Sequence, residues 1–433
     1  MPKDHKHGNV MNSSKDASRV IAESLSPSFA GDIAKMKDAR SRAKKDVQLS
    51  RIAVACVDDP RQCITWSGIP SFLGLALERA GMEIVWAGPL PAREPRHYRW
   101  LRSIYWRLGY GWFHAEVEPT MLKQRAAEFQ RLLQINHVDA VISIQPDPIA
   151  FLRPSVPTVL VHDATFATMV DYYHSFTGLS RRSVKLGNNA YRAALDHASL
   201  AVFSSEWAGR SASRDYGTDP QKVHVIEFGA NLDNPPKQAE VARFVESRFD
   251  GDVFRFLFLG IDWYRKGGPE AVEFIKSLRK MGVPAHLDVV GCRIHGCSDT
   301  AEFCTEHGFL EKSKSSDNMK LRKLLEAASF LLMPSHAECF GCAYCEANAF
   351  GVPCIGRDTG GVAQIIKDGV NGFLLANDGR DLARLAETIK DFLSAKEKYR
   401  KLAESSRSEY ERRLNWDRFA DRLLGLLRKV AVQ

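Results

Sequence analysis

The sequence predicts an α/β protein built from two open parallel sheets, and three observations carry that expectation. Short apolar runs alternate with amphipathic stretches from Arg51 onward. The alternation stops at a turn-rich segment, Gly229-Ala230-Asn231-Leu232-Asp233-Asn234-Pro235-Pro236, and then starts again. The chain, at 433 residues, is also too long for one ordinary core, which makes two domains the natural division. Strand, helix and strand in series require a parallel sheet covered on both faces. Sites in such sheets lie beyond the carboxyl ends of the strands.

Residues 1–48 read as a basic, disordered leader. Residues 1–51 hold eleven Lys/Arg against six Asp/Glu, so +5 of the chain's +8 sits there. The leader is rich in Ser, Lys and Asp, with a short helix expected near Asp32 to Lys45. Its basic residues are interleaved with one aromatic, Phe29, which excludes a nucleic-acid partner. No apolar stretch approaches the ~20 residues of a membrane-spanning helix, and Met1 to Ser28 lacks the apolar core of a secretory signal. Nine cysteines, an odd number scattered through strands and helices, fit a reducing cytosol.

The first domain is expected over 49–231. Its strands are Ile52–Val57, Glu83–Ala87, Ala140–Ile144, Thr158–Val161, Leu200–Ser204 and Val223–Phe228; Ile69–Ala80, Thr120–Gln134 and Arg182–Ala198 read as helices. The second domain is expected over 232–415. Phe254–Leu259, His286–Val290, Phe330–Met333, Pro353–Ile355 and Gly372–Leu375 read as strands, and Pro269–Met281, Leu321–Ala328 and Leu382–Leu393 as helices. The remainder, 416–433, reads as a long amphipathic helix able to pack back on the first domain. Two Rossmann-like domains would then face one another across a cleft.

The strongest chemical signal follows the apolar run Phe330–Met333. Glu338-Cys339-Phe340-Gly341 forms a loop, a helix then presents Glu346 eight residues on, and Gly360-Gly361 lies beyond. Loop N–H groups and a helix N-terminus attract an anion, and two carboxylates beside them accept hydrogen bonds from sugar hydroxyls. That combination suits a nucleotide sugar, with a diphosphate in the middle and polyols at both ends. Arg265-Lys266-Gly267-Gly268 follows the strand that ends near Gly260 and precedes a helix; its cations can neutralise a leaving diphosphate and its glycines allow close backbone approach. In the first domain, Ser67-Gly68-Ile69-Pro70 sits at a strand-to-helix turn, with Ser67 expected as N-cap, Pro70 in the first turn, and Trp66 lining an acceptor pocket. His162 and Asp163 end a strand and aim at the cleft, where imidazole can hydrogen-bond a ligand at neutral pH. The alternative for His162 is a structural cap on Ala164-Thr165.

Cys339, Cys342 and Cys345 have spacing like part of an iron–sulfur ligand run. No fourth cysteine stands at the next short spacing, and Cys342 and Cys345 would fall on successive turns of the helix presenting Glu346, so they read as packing. No metal is expected. Residues 96–113 mix Arg96, Arg99, Arg102 and Arg107 with Trp100, Tyr105, Trp106 and Trp112. Leu101, Ile104, Tyr105, Leu108 and Trp112 share one helical face, which fits a peripheral contact with an anionic membrane or a lipid-linked acceptor; a helical excursion packed on the first domain, with its arginines solvated, is the plainer alternative.

The residues from Leu257 to Leu375 resemble the donor domain of the family 4 glycosyltransferases, which have the two-domain GT-B fold. The resemblance rests on Arg265-Lys266-Gly267-Gly268, Pro334-Ser335, Glu338 to Glu346 and Gly360-Gly361. Ser67-Gly68-Ile69-Pro70, Ser204-Ser205-Glu206-Trp207 and Gly229-Ala230-Asn231 extend it more loosely over the first half, about 380 residues in all. Many relatives carry an arginine directly after the strand-end glycine, where this chain has Ile261 and then Asp262-Trp263, leaving the diphosphate to Arg265 and Lys266. The resemblance implies sugar transfer from a nucleotide-diphosphate sugar to a saccharide or lipid-linked hydroxyl, with retention and with neither metal nor cofactor. It implies that Glu338 touches the donor sugar, that Glu346 holds the ribose, and that backbone N–H groups near Phe340 and Gly341 meet the distal phosphate. A catalytically silent scaffold and a nucleotide-sugar epimerase are the rival readings. A phosphorylase would need a pyridoxal lysine or a free-phosphate pocket, and the sequence has a motif for neither.

Overall fold

The computed structural model describes residues 49–431; the leader and its expected helix lie outside them. Leu49–Val430 form one compact unit containing two six-stranded parallel sheets. In the first, β1 (Arg51–Ala55), β2 (Glu83–Ala87), β3 (Ala140–Ser143), β4 (Thr158–His162), β5 (Leu200–Phe203) and β6 (Val223–Val225) stand in the order β2-β1-β3-β4-β5-β6. The helices between them are α1 (Ile69–Arg79), α2 (His97–Arg107), α3 (Pro119–Ile135), α4 (Asp147–Ala150), α5 (Phe166–Met169), α6 (Arg181–His197) and α7 (Glu206–Tyr216). Ala53, Val141, Leu160 and Phe203 of the strands pack on Phe129, Tyr191 and Ala208 of the helices. Small residues thus let helices lie close on one face while aromatics fill the gaps.

The second sheet contains β7 (Phe254–Leu259), β8 (Ala285–Val290), β9 (Cys304–Gly308), β10 (Phe330–Met333), β11 (Cys354–Arg357) and β12 (Gly372–Leu375), ordered β12-β11-β10-β7-β8-β9. Its helices are α8 (Gln238–Ser247), α9 (Gly268–Lys280), α10 (Ser315–Ala327), α11 (Cys342–Ala349), α12 (Val362–Ile365), α13 (Leu382–Ser394) and α14 (Lys396–Arg413). Strand β9 was not anticipated: its residues Cys304-Thr305-Glu306-His307-Gly308 are polar and largely exposed at the sheet edge, so no apolar pattern marks it. In each sheet the strand order reverses once, between β1 and β3 and between β7 and β10. Crevices at such switch points are where open α/β sheets bind ligands.

The last helix, α15 (Trp416–Ala431), returns to the first sheet. Asp417 pairs with Arg79 of α1 at 2.7 Å. Arg422 reaches Glu227 at 3.0 Å and the Val225 carbonyl at 2.9 Å. Trp416 stacks on Phe228 and donates its indole N–H to Asn231 Oδ1 at 2.7 Å. Just before it, buried Arg413 donates to Glu409 and to the Gln364 and Ile365 carbonyls. Burial alone would raise the Glu409 carboxyl, but hydrogen bonds from Arg413 and Arg412 outweigh it and hold the pKa down to about 2. A depressed carboxyl contributes stability that is present above its unfolded pKa and lost as pH falls through the folded one. Glu409→Gln should therefore cost about 1.5–3 kcal/mol at pH 7. Urea melts should show that deficit shrinking as the pH is lowered from near 4.5 toward 2.

Candidate active site

The switch point of the second sheet collects the residues of interest. The loop after β7 supplies Arg265 and Lys266, and the loop after β10, the neighbouring strand, supplies Glu338. Gly267 is left-handed (φ 77°), and a Cβ there would sit 2.2 Å from the Pro334 carbonyl oxygen, so only glycine lets these loops touch. A Cβ on Gly260 would meet the Lys266 Cγ at 2.7 Å, so Gly260 makes room for the lysine stem. The loops are then laced together: His336 N–H donates to the Arg265 carbonyl at 2.8 Å, and the Arg265 guanidinium donates to the Ala337 carbonyl at 2.9 Å.

Lys266 makes a direct ion pair with the Glu338 carboxylate, and Arg265 lies 3.9 Å from the same oxygen. Arg265 is more heavily committed elsewhere, to Asp262 at 3.5 Å and over the Tyr173 ring at 5.1 Å. Lys266 is thus the cation tied directly to the Glu338 carboxylate, while Arg265 is shared among several partners. Helix α11 opens at Gly341, which is left-handed (φ 98°). Among the described residues, the N–H groups of Phe340, Gly341 and Cys342 donate to no other group. The Phe340 side chain is buried against Phe228, so it offers the site its peptide and anchors the loop with its ring.

Glu346, on the second turn of α11, is 3% exposed and accepts from Lys312 at 2.5 Å. Lys312 also lies 3.4 Å from the Asn231 carbonyl. No sequence pattern singled out Lys312, because it sits in an irregular loop 34 positions before its partner. Cys345 is buried against the Phe228 carbonyl, and burial raises the Cys339, Cys342 and Cys345 thiols well above their ordinary range. They are protonated packing groups at neutral pH.

The first domain brings its own residues to the opposite side. His162 ends β4 and is buried; its Nδ1 hydrogen-bonds the Ala164 carbonyl, and the Tyr191 hydroxyl donates to that same oxygen at 2.8 Å. That bond is a structural one and fixes the ring, whose other face packs on Trp66 at 4.8 Å. The Asp163 carboxyl is pushed up by burial, with His162 counteracting that and the Glu338 carboxylate adding to it. The turn before α1 differs from expectation. Trp66 (φ 48°) and Ser67 (φ 55°) are both left-handed, so the N-cap position falls on Gly68 (φ 91°), with no side-chain cap. Pro70 stands in the first turn as expected. Two consecutive left-handed residues other than glycine store strain, and Asn231, whose Nδ2 donates to the Ser67 carbonyl at 2.7 Å, holds them.

The excursion at 96–113 also departs from its helical reading. Helix α2 ends at Arg107, so Trp112 lies beyond it. Tyr98, Leu101 and Tyr105 pack inward on Phe113 and Met121. Trp100, Ile104, Trp106, Leu108, Tyr110 and Trp112 all remain exposed. Among the described residues, no helix is long and apolar enough to cross a membrane.

Comparison with known proteins agrees with this geometry. Residues 242–409 match the family described as glycosyl transferases group 1. The D-inositol 3-phosphate glycosyltransferase of Xylanimonas cellulosilytica is 27% identical over 239 residues, covering 52% of this chain and 55% of the relative. The chain spans about half the length of such curated relatives. Sucrose-phosphate synthase from Thermosynechococcus elongatus superimposes with a TM-score of 0.61 at 17% identity, covering 88% of this chain and 99% of that one. The Anabaena protein HepE, in complex with UDP, does so with 0.57 at 14% identity, covering 88% and 100%. At those identities the likeness is one of fold. The similarity to the glycosyl transferases group 1 thus lies in residues 242–409, and the architecture of the chain is the two-domain GT-B fold.

Proposed function

We propose that the protein is a cytoplasmic, metal- and cofactor-independent glycosyltransferase of the family 4 type. It moves a sugar from a nucleotide-diphosphate donor to a saccharide or lipid-linked hydroxyl with retention. The observation that carries this reading is the convergence of Lys266 and Arg265 on Glu338 beside the open N–H groups of α11. Cations and oriented peptides at one point match a departing diphosphate, whose charge grows most in the transition state. In this reading the bond from the anomeric carbon to the distal phosphate oxygen breaks and a bond to the acceptor oxygen forms on the same face. The acceptor proton passes to the departing phosphate. Glu338 orients the donor sugar and Glu346 accepts from the ribose hydroxyls. Phe340 and Gly341 present N–H groups to the phosphate, while Gly260 and Gly267 give the cations room. The acceptor enters past Ser67, Gly68, His162 and Asp163. The UDP held by the fold relative HepE supports a nucleoside diphosphate as the ligand class.

The exposed aromatic and arginine side chains of residues 96–113 extend the reading to a peripheral contact with the inner face of an anionic membrane. Calorimetric titration of UDP, GDP and ADP into the wild type and Glu346→Ala tests the donor site. One nucleotide should bind selectively, and the variant should bind it at least tenfold more weakly, a lost charged hydrogen bond being worth about 1.5–3 kcal/mol. Folded protein that binds none of the three is a silent scaffold. One that turns over its nucleotide sugar with no acceptor present is the epimerase.

A further inference from the structure

Two tyrosines that neither motif contains reach the donor loop from the other domain. They follow α5, in the loop leading to Gly178. The Glu338 N–H donates to the Tyr172 hydroxyl oxygen at 2.9 Å, and the Cys339 N–H donates to that of Tyr173 at 3.2 Å. Tyr172 Oη also lies 2.9 Å from Thr359 Oγ1 and 3.3 Å from the Glu338 carbonyl oxygen. Both rings are held independently of these bonds, Tyr172 against Trp207 at 5.3 Å and Tyr173 under the Arg265 guanidinium. Gly360 is left-handed (φ 53°), and a Cβ there would sit 2.1 Å from the Glu338 carbonyl oxygen and 2.5 Å from Tyr172 Oη, so Gly360 keeps open the space in which they meet. Burial raises both phenols, which remain protonated at neutral pH.

From this we infer that Tyr172 and Tyr173 are positioning residues for Glu338, set by the first domain rather than by the domain that carries the carboxylate. The peptides on either side of the Glu338 Cα are the ones whose N–H groups the two hydroxyls accept, so the pair fixes the direction in which the carboxylate leaves the backbone. A loop N–H satisfied within its own domain would be ordered whether or not the domains met. These two are satisfied only from across the cleft, so the contacts within the second domain that hold Arg265 and Glu338 are completed when the domains are together. The nucleoside end, at Glu346 and Lys312, has no part in this arrangement. This assignment rests on the donor-site reading of Glu338 for its catalytic meaning, and on geometry alone for the contact itself.

The test uses the full chain as wild type, Tyr172→Phe, Tyr173→Phe and the double variant; phenylalanine keeps each ring and its packing. Hydrogen exchange of a peptide covering 335–341 is followed with and without UDP. Losing one hydrogen bond per amide should speed exchange at Glu338 and Cys339 by about 5–10-fold, with UDP affinity within about twofold of wild type. With the nucleotide sugar that the wild type consumes, kcat of the double variant should fall about tenfold at an unchanged donor KM. Exchange equal to wild type in the double variant overturns the assignment. So does a loss of UDP affinity parallel to the loss of kcat, which marks a general disturbance of the loop. A wild type that binds no UDP and turns over no nucleotide sugar removes the functional reading, while the exchange result still judges the contact.

Discussion

Lys266→Ala should lower kcat by about 10²–10³-fold at saturating donor, the range found when one preorganised transition-state donor is removed. The lysine is held in place before any ligand arrives: its stem fills the space left by Gly260, and its ammonium pairs with buried Glu338. A charge already desolvated and aimed costs no reorganisation when the leaving group departs. Arg265→Ala should cost less in charge and more in structure, because that guanidinium also holds the Ala337 carbonyl and covers Tyr173. Lys266→Arg separates charge from fit: it keeps the positive charge and enlarges the head group against Glu338. Steady-state kinetics decide the matter, and turnover by Lys266→Ala equal to wild type at saturating donor would make the leaving-group assignment wrong.

Substituting Trp100, Trp106 and Trp112 together with serine should weaken binding to anionic vesicles by about 100-fold, a loss of a little under 1 kcal/mol per tryptophan, below the full-burial value because the rings only partly enter the interface. Among the described residues, sixteen large hydrophobic side chains are exposed, and six of them lie between residues 100 and 112. That concentration is not the scatter of a normal surface. Trp106 and Trp112 lie 5.0 Å apart, forming a shared apolar tip. Arg96, Arg99 and Arg107 are exposed around it, and each basic residue near an anionic surface adds about 1 kcal/mol. Trp112 is also bridged by backbone hydrogen bonds to Gly178 and Ser180, so the excursion is tied to the loop that carries Tyr172 and Tyr173. Co-sedimentation with vesicles of phosphatidylcholine, with and without one-quarter phosphatidylglycerol, measures the effect. Equal sedimentation of wild type and variant, or none by wild type, removes the membrane contact.

Much of this molecule was legible before its structure, for identifiable reasons. Nine of the eleven anticipated strands, all but β2 and β6, are largely buried, and such runs carry continuous apolar signal. Strand β9 carries none, because its edge position lets polar side chains face water. Helix α7 was missed because its buried face is made of Ala208, Gly209, Ser211 and Ala212, which show no hydrophobic period. Glu338, Arg265 and Lys266 stood out because each sits in a short motif in the loop after a strand, and Glu346 because it follows one of them by eight positions on the next helix. Tyr172, Tyr173 and Lys312 did not, since each acts through a partner 34 or more positions away and none lies in a motif of its own; Asn231 stood in a recognised motif, but its bond to the Ser67 carbonyl, 164 positions away, was not readable from it. The misplaced cap at Ser67 has a similar origin: tertiary hydrogen bonding from Asn231 holds a backbone conformation that local propensity disfavours.

The return of α15 to the first sheet means that the backbone passes between the two halves twice, once near Asn231 and once near Trp416. A single tether would permit swivelling about its own axis. Two tethers, joined to each other by the Trp416–Asn231 hydrogen bond, pin the halves side by side at one place and oppose such a swivel. The same feature removes modularity. A fragment ending at residue 231 would expose Phe228, the partner of Trp416 and Phe419, and would leave Arg79 and Glu227 without Asp417 and Arg422. The two halves are separate in their sheets and inseparable as pieces of chain.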